Sequence, residues 1–191
     1  MEDQLSISRI KQGDPGGLEA LVQTYQVQAV YAAYLIVQDY ALAEEIVQSA
    51  FVSVVEKIGQ FDERRPFAPW FFKIVTNAAI KAARKQARLS ALNEECAGEA
   101  GRLASWLVDP QPLPERLVEI QETGEVVRAA LRQLTPEQRA SVVMRYYLDM
   151  SEADMVVRLD RPLSTIKWWL RSARARIGVL LKGTRYFEDR D

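Results

Sequence analysis

Apolar residues recur along this chain at steps of three and four, and nowhere do they alternate at a step of two. That spacing lines one side of an α-helix and provides no strand with a single buried face, so the expected fold is all-α. Leu18, Leu21, Val22, Tyr25, Ala29, Ala32, Ala33 and Ile36 form one such stripe. Ile46, Val47, Ala50, Phe51, Val54, Val55 and Ile58 form the next, with Glu44, Glu45, Gln48 and Glu56 on the opposite face. A short helix over Leu5–Lys11 precedes them, stopped by the turn formers Gly13-Asp14-Pro15-Gly16-Gly17. Residues Gly59 to Pro69 read as a loop, with Phe61 and Phe67 bracketing Asp62-Glu63-Arg64-Arg65-Pro66.

The periodicity fades between Ser90 and Pro114, where Gly98, Gly101, Pro110, Pro112 and Pro114 accompany an acidic lean. This stretch reads as a flexible linker, 90–114, joining two small helical domains, 1–89 and 115–191. Beyond it the punctuation sharpens. Leu117–Leu134 makes a helix, and Thr135-Pro136-Glu137-Gln138 is an N-terminus signature with Thr as cap and Gln at the capping-box position. Ser151-Glu152-Ala153-Asp154 is a second capping box, opening a short helix to Leu159. Asp160-Arg161-Pro162 breaks that helix, and a last one from Ser164 carries Ile166, Leu170, Ala173, Ile177 and Leu181 on its buried side.

Charge is segregated along this framework. Arg64–Arg88 holds seven basic residues and no acid, and Ser164–Phe187 holds six and no acid. The other 142 residues hold 12 basic and 26 acidic ones, so a net charge of −1 conceals two basic patches on an acidic body. Two such patches suggest two separate contacts with a polyanion. In the first, the apolar face is expected to comprise Phe71, Ile74, Val75, Ala78 and Ala82. Trp70, Asn77, Lys81, Arg84 and Arg88 fall in one row on another side. Cations neutralise phosphates, an amide reads a base edge, and an aromatic ring offers a stacking surface. A solvated charged face with Trp70 in the core is the competing reading.

Composition excludes much else. The chain has no His and a single Cys, Cys96, which removes His-assisted nucleophiles, internal disulfides and most zinc sites. With no glycine-rich phosphate loop either, neither catalytic residues, a metal site nor a cofactor is expected. Glu2 and Asp3 stand where a secretory signal would carry positive charge, and the longest apolar run, Val27–Val37, is too short to span a bilayer. The expected location is the cytoplasm, with no membrane insertion.

A short helix, a tight turn and a longer basic helix make a helix-turn-helix, whose second helix enters the major groove of duplex DNA. Facing away from the buried stripe of that second helix are Ser164, Trp168 and Arg171, flanked by Thr165, Lys167, Ser172 and Arg174. Hydroxyl, ammonium and guanidinium groups suit base edges and phosphates. Trp169 is expected in the core and Trp168 outside it. A stand-alone helix-turn-helix regulator and a helical protein-interaction module both remain compatible with these residues taken alone.

Taken in order, the two halves resemble bacterial RNA polymerase sigma factors of the sigma-70 family, specifically the small extracytoplasmic-function (ECF) group. The resemblance rests on Ala43-Glu44-Glu45-Ile46-Val47-Gln48-Ser49-Ala50-Phe51, then Phe61, Phe67, Trp70, Ile74, Asn77 and Arg84. It continues through Leu134-Thr135-Pro136-Glu137-Gln138-Arg139, Ser151-Glu152, Leu159, Thr165-Ile166-Lys167 and Ala173-Arg174. It implies a promoter-specificity subunit, with domain 1–89 docking on core polymerase and recognising and melting the −10 element, and domain 115–191 recognising the −35 element. Glu44, Glu45, Gln48 and Phe51 would meet the clamp helices of the largest polymerase subunit. Phe61, Arg64, Arg65, Trp70, Asn77, Lys81, Arg84 and Arg88 would engage the −10 element. Ser164, Thr165, Lys167, Trp168, Arg171, Ser172 and Arg174 would read the −35 element. Core RNA polymerase, promoter DNA and an inhibitory anti-sigma partner are the implied partners. The chain departs from the family pattern at Lys81, often Asp, at Ser49, often an acid, and at Ser164, often Gly. Ser172 stands where Arg is usual, and Trp168 where a small polar residue is.

Overall fold

A computed structural model describes residues 2–104 and 121–181, with side chains placed for 2–92 and 127–180. Among the described residues every regular element is helical. The helices are α1 (Glu2–Lys11), α2 (Pro15–Val37), α3 (Tyr40–Lys57), α4 (Phe67–Ala104), α5 (Gln121–Arg132), α6 (Pro136–Val142), α7 (Glu152–Leu159) and α8 (Leu163–Leu181). The chain divides into two compact units, 1–79 and 80–191, with the boundary inside α4.

In the first unit α1 and α3 both pack on α2. The Asp14 carboxylate caps α2 by accepting from the Gly16 N–H, and Pro15 opens the helix where its missing N–H is not needed. Gln38 ends α2 in the left-handed region at φ 62°, and Asp39 caps α3. Gly17 is buried at the α1–α2 crossing, where a Cβ would collide with the Ser6 carbonyl oxygen, so no larger residue allows that approach. The core holds Ile7, Leu21, Ala32, Ala33, Ile36, Val47 and Val54, and ends in an aromatic cluster on α4. There Phe51 and Phe71 lie 4.6 Å apart between ring centroids, and Phe67 stacks on Phe71 at 5.7 Å.

The buried face of α4 differs from the expected one. Phe67, Phe71, Phe72, Val75, Thr76, Ala79, Ile80 and Ala83 are buried, whereas Ile74, Ala78 and Ala82 are half-exposed. The helix has turned its apolar stripe by about one position, because small and apolar residues flank both sides and only the neighbouring helices decide between them. Val55 was also expected inside and is 45% exposed. Nor does α4 stop at residue 89: it continues to Ala104 through part of the expected linker. Leu89, Leu92, Cys96, Ala100 and Leu103 recur at steps of three, four, four and three, a helical spacing that Gly98 and Gly101 obscure, and the Ala and Glu residues between them favour helix. Residues 105–114 of that linker lie outside the described residues.

In the second unit α8 packs against α5, α6 and α7. Both expected capping boxes form: Thr135 with Gln138 on α6, and Ser151 with Asp154 on α7. The helix begun by α6 widens into a π-helical turn over Val143–Tyr147, closed by the Leu148 N–H on the Val143 carbonyl. Asp160, at φ 50°, ends α7 in the left-handed region and turns the chain into α8. Met144, Met155, Ile166, Leu170 and Ala173 are buried together, so the α7–turn–α8 corner is a packed helix-turn-helix.

Candidate nucleic-acid interface

On α4, Asn77, Lys81, Arg84 and Arg88 are all exposed and form one row, as their spacing requires. Trp70 begins that row half-buried, its ring 4.9 Å from Phe61 and 5.8 Å from Phe67. Phe61 itself is buried, so the structure sets it behind Trp70 rather than beside the cations. Arg64 and Arg65 are exposed in the loop before α4 and share one carboxylate. Asp62 accepts from the Arg64 backbone N–H and from its Nε, both at 3.1 Å, and its other oxygen is 3.7 Å from Arg65 Nε. The Arg64 hydrogen bonds, with Arg65 and Lys11 nearby, hold the Asp62 carboxyl below its ordinary value.

Arg84 has a partner. Inside the second unit its Nε donates to Glu137 Oε1 at 2.6 Å. Burial works to raise the Glu137 carboxyl, but the Arg84 hydrogen bond and charge, with bonds from the cap residues, bring it below the ordinary range. The carboxylate is therefore held ionised against the Arg84 guanidinium.

On α8, Ser164, Lys167, Trp168, Arg171 and Arg174 line one shallow cleft, together with Glu152 from the first turn of α7. Trp168 is 53% exposed, and Trp169 is half-buried. Thr165 is half-buried at the start of the helix. Ser172 turns the other way: its Oγ accepts from Gln138 Nε2 at 2.9 Å, tying α8 to the cap of α6. Along the sequence Glu152 belongs only to a capping-box segment, Ser151-Glu152-Ala153-Asp154. No signal along the chain places that carboxylate among the α8 cations, since the helix-turn-helix crossing does it.

A third surface lies on α3. Glu44, Val47, Gln48 and Phe51 line a groove closed by Val22, Gln26 and Val30 of α2. Phe51 is buried and forms its floor, whereas Glu45 stands on the exposed side of α3 with Gln48, Val52 and Val55. These four follow steps of three, four and three, one row down the helix. Val52, 59% exposed, is the residue the sequence could have revealed, because it is an apolar side chain on the otherwise polar row. Among the described residues no cluster of His, Cys, Asp and Glu could hold a metal ion, and no helix is long and apolar enough to cross a membrane.

An acid-free basic stretch opening α4, Arg64–Arg88, and an acid-free basic helix α8 in a helix-turn-helix place the molecule among helical DNA-binding proteins. The comparisons with known proteins agree. Residues 21–89 match the family model Sigma-70 region 2, and residues 124–177 match Sigma-70, region 4. The ECF RNA polymerase sigma factor SigW of Bacillus subtilis is 28% identical over 169 residues, covering 88% of this chain and 90% of its own. The fold is similar to that of CnrH, solved with the cytosolic domain of CnrY, at a TM-score of 0.64 and 21% identity, covering 96% of this chain and 99% of that one. It is also similar to that of the sigma factor RpoE of Bartonella quintana, solved with the anti-sigma factor NepR, at a TM-score of 0.63 and 19% identity, covering 87% and 98%. The chain belongs to the extracytoplasmic-function group of the sigma-70 family, RNA polymerase sigma factors that initiate transcription without being enzymes.

Proposed function

We propose that this sigma factor reads its promoter with two helix faces of different kinds while the α2–α3 surface sits on the clamp helices of the largest polymerase subunit. The loop Phe61–Phe67 and the α4 row meet the −10 element. Arg64, Arg65, Lys81, Arg84 and Arg88 neutralise phosphates, and Asn77 offers an amide to an unstacked base. Phe61 stiffens Trp70 from behind, so the indole presents a fixed edge at the start of the row. The α8 face reads the −35 element as duplex, with Lys167 and Arg171 as the guanine-reading candidates and Trp168 as the apolar contact to a thymine methyl. Ser164, Thr165 and Arg174 contact the flanking backbone, and Ser172 sets the orientation of α8 through Gln138. Neither face is large, and each binds weakly in isolation. Held together on polymerase, the first contact raises the effective concentration of the second.

The observation that carries this reading is the exposed row Asn77–Lys81–Arg84–Arg88 on a helix whose other side is buried. Lys81→Ala is expected to weaken open-complex formation and lower the salt slope of promoter binding by about one. Arg171→Ala is expected to remove protection of the −35 element in footprints and lower transcription about tenfold or more. Both variants should still co-purify with core polymerase. Loss of polymerase binding by either variant, or unchanged footprints with Arg171→Ala, would contradict the assignment.

The same faces are also where an inhibitor would act. The Bartonella relative was solved with an anti-sigma factor, and an anti-sigma partner in the cytoplasm is proposed here too. Co-purification of the untagged chain from its native host, followed by mass spectrometry, tests for it. Recovery of core polymerase with no stoichiometric inhibitor would count against it.

A further inference from the structure

The segment before residue 21 lies outside the matched region 2, yet it touches the loop proposed to meet the −10 element. We propose that Lys11, on α1, is a positioning residue for that loop. The inference rests on the reading of the loop given above.

The loop is anchored at both ends by buried rings, Phe61 and Phe67, but Glu63, Arg64, Arg65 and Pro66 between them are exposed. Its internal order comes from the Asp62 carboxylate and from the Arg65 N–H, which donates to the Asp62 carbonyl at 3.0 Å. Local bonds of this kind shape a turn without fixing where the turn sits on the protein. Lys11 supplies that constraint. Its Nζ donates to the Phe61 carbonyl at 3.2 Å and to Glu63 Oε1 at 2.6 Å, across about fifty residues of sequence. Gln4, two turns earlier on α1, reaches the Glu63 carbonyl at 3.5 Å. The helix that holds these side chains is itself pinned. The Tyr25 hydroxyl donates to Asp3 Oδ2 at 2.6 Å, and Gly17 lets α2 come against the Ser6 carbonyl. Burial, and then the Asp3 hydrogen bond, raise the Tyr25 phenol well above its ordinary value, so this pin keeps its proton throughout the physiological range.

The arrangement therefore runs from the α1–α2 crossing, through the Lys11 ammonium, to the backbone of the loop that carries Arg64 and Arg65. A partly exposed ion pair adds little to global stability. Order of the loop is a separate, local equilibrium, and affinity falls in proportion to the fraction of molecules in the competent conformation. Lys11 thus acts on promoter DNA without touching it.

The test uses the full chain assembled with core polymerase. A promoter that this holoenzyme transcribes is first found by sequencing its transcripts from genomic DNA. The probe is a fluorescent non-template-strand oligonucleotide spanning that promoter's −10 element, beside a scrambled control. Lys11→Met keeps the aliphatic stem and removes the ammonium. It is expected to bind the cognate oligonucleotide about three- to tenfold more weakly, while affinity for core polymerase, binding to a −35 duplex and melting temperature stay near the parent values. Lys11→Arg, which keeps the charge and the donors, should stay within about twofold of the parent. A Lys11→Met holoenzyme that binds the cognate strand as well as the parent overturns the proposal. So does a loss that runs parallel to lost core affinity or lost thermal stability, because the role would then be merely structural. If the parent holoenzyme shows no preference for the cognate strand over the scrambled one, it is the reading of the loop that fails, which sets that outcome apart from failure of the clasp.

Discussion

The helices α4 and α8 both present rows of Lys and Arg and differ in where they keep their aromatic residues. On α4 the rings lie at the start of the row, ahead of its cations. Trp70 leans on buried Phe61 and Phe67, and beyond residue 70 the outward row is an amide and three charges. On α8 the ring stands among the cations: Trp168 is 53% exposed in the cleft that Lys167, Arg171 and Arg174 surround, with the Glu152 carboxylate across from them. A long row of charge that begins at a rigid aromatic cluster suits a backbone track with an opened strand. A compact cleft of mixed donors, one acceptor and one apolar plate suits the edges of paired bases in a groove. Two helices rich in Lys and Arg thus suit two kinds of contact, and what separates them is which residues the core has claimed.

The comparison can be broken most severely through the rings. Phe71→Ala empties a site at the centre of the α4 aromatic cluster and is expected to cost about 3–5 kcal/mol, enough to unfold the first unit in a denaturant titration. Trp168→Ala should change stability by less than about 0.5 kcal/mol and instead shift −35 preference in a binding selection from randomised duplexes. Comparable destabilisation by both would mean that Trp168 is a packing residue and that the two helices do not differ as described.

A middle-sized effect sharpens the α8 side. Ser151 caps the helix that α8 packs on, and Ser151→Ala should cost about 1 kcal/mol by thermal melting. The partner in that capping box, Asp154, is held below its ordinary carboxylate value, first by the Ser151 hydroxyl hydrogen bond, opposed by slight burial, and helped by the Ser151 N–H and Arg158. A depressed folded-state value stabilises the fold above the unfolded-state value of 3.8. The contribution is lost as pH falls through the folded-state value. The gap between acid melts of parent and Ser151→Ala should therefore begin to narrow as pH falls below 3.8, the Asp154 N–H bond to the Ser151 hydroxyl keeping a remainder, and a constant gap down to acid pH would contradict this.

The smallest expected effect concerns α4. Glu137→Gln removes the carboxylate that holds Arg84, and −10 oligonucleotide binding by the holoenzyme should tighten by about two- to fivefold, as an exposed ion pair allows. Weaker binding with Glu137→Gln would mean that the pair supports the row rather than competing with DNA.

How far the sequence reached depends on whether the deciding interaction was local. Both capping boxes and the buried Ile166–Leu170–Ala173 stripe were legible because a cap and a stripe are set within one helix. The exposed row on α4 was legible for the same reason. The rotation of the α4 stripe toward Phe72, Ala79 and Ile80 was not, because either side could have been buried and α4's neighbours chose. The extension of α4 to Ala104 was obscured by Gly98 and Gly101, which read as breakers although Leu89, Leu92, Cys96, Ala100 and Leu103 keep helical spacing across them. Contacts between distant residues were beyond reach altogether. Nothing around Lys11 names Glu63, nothing around Ser172 names Gln138, and Glu152 gives no sign of joining the α8 cleft.

The central claim, that one face follows an opened strand and the other a duplex, is tested most directly by photo-crosslinking. A benzophenone amino acid placed at position 77 and, separately, at position 168 would be irradiated in holoenzyme bound to a promoter it transcribes. The expected result is a crosslink from position 77 to the non-template strand of the −10 element that appears with strand opening, and one from position 168 to the −35 duplex that does not depend on opening. Crosslinks from both positions to the same segment, or from position 77 with equal yield before the strands open, would contradict it.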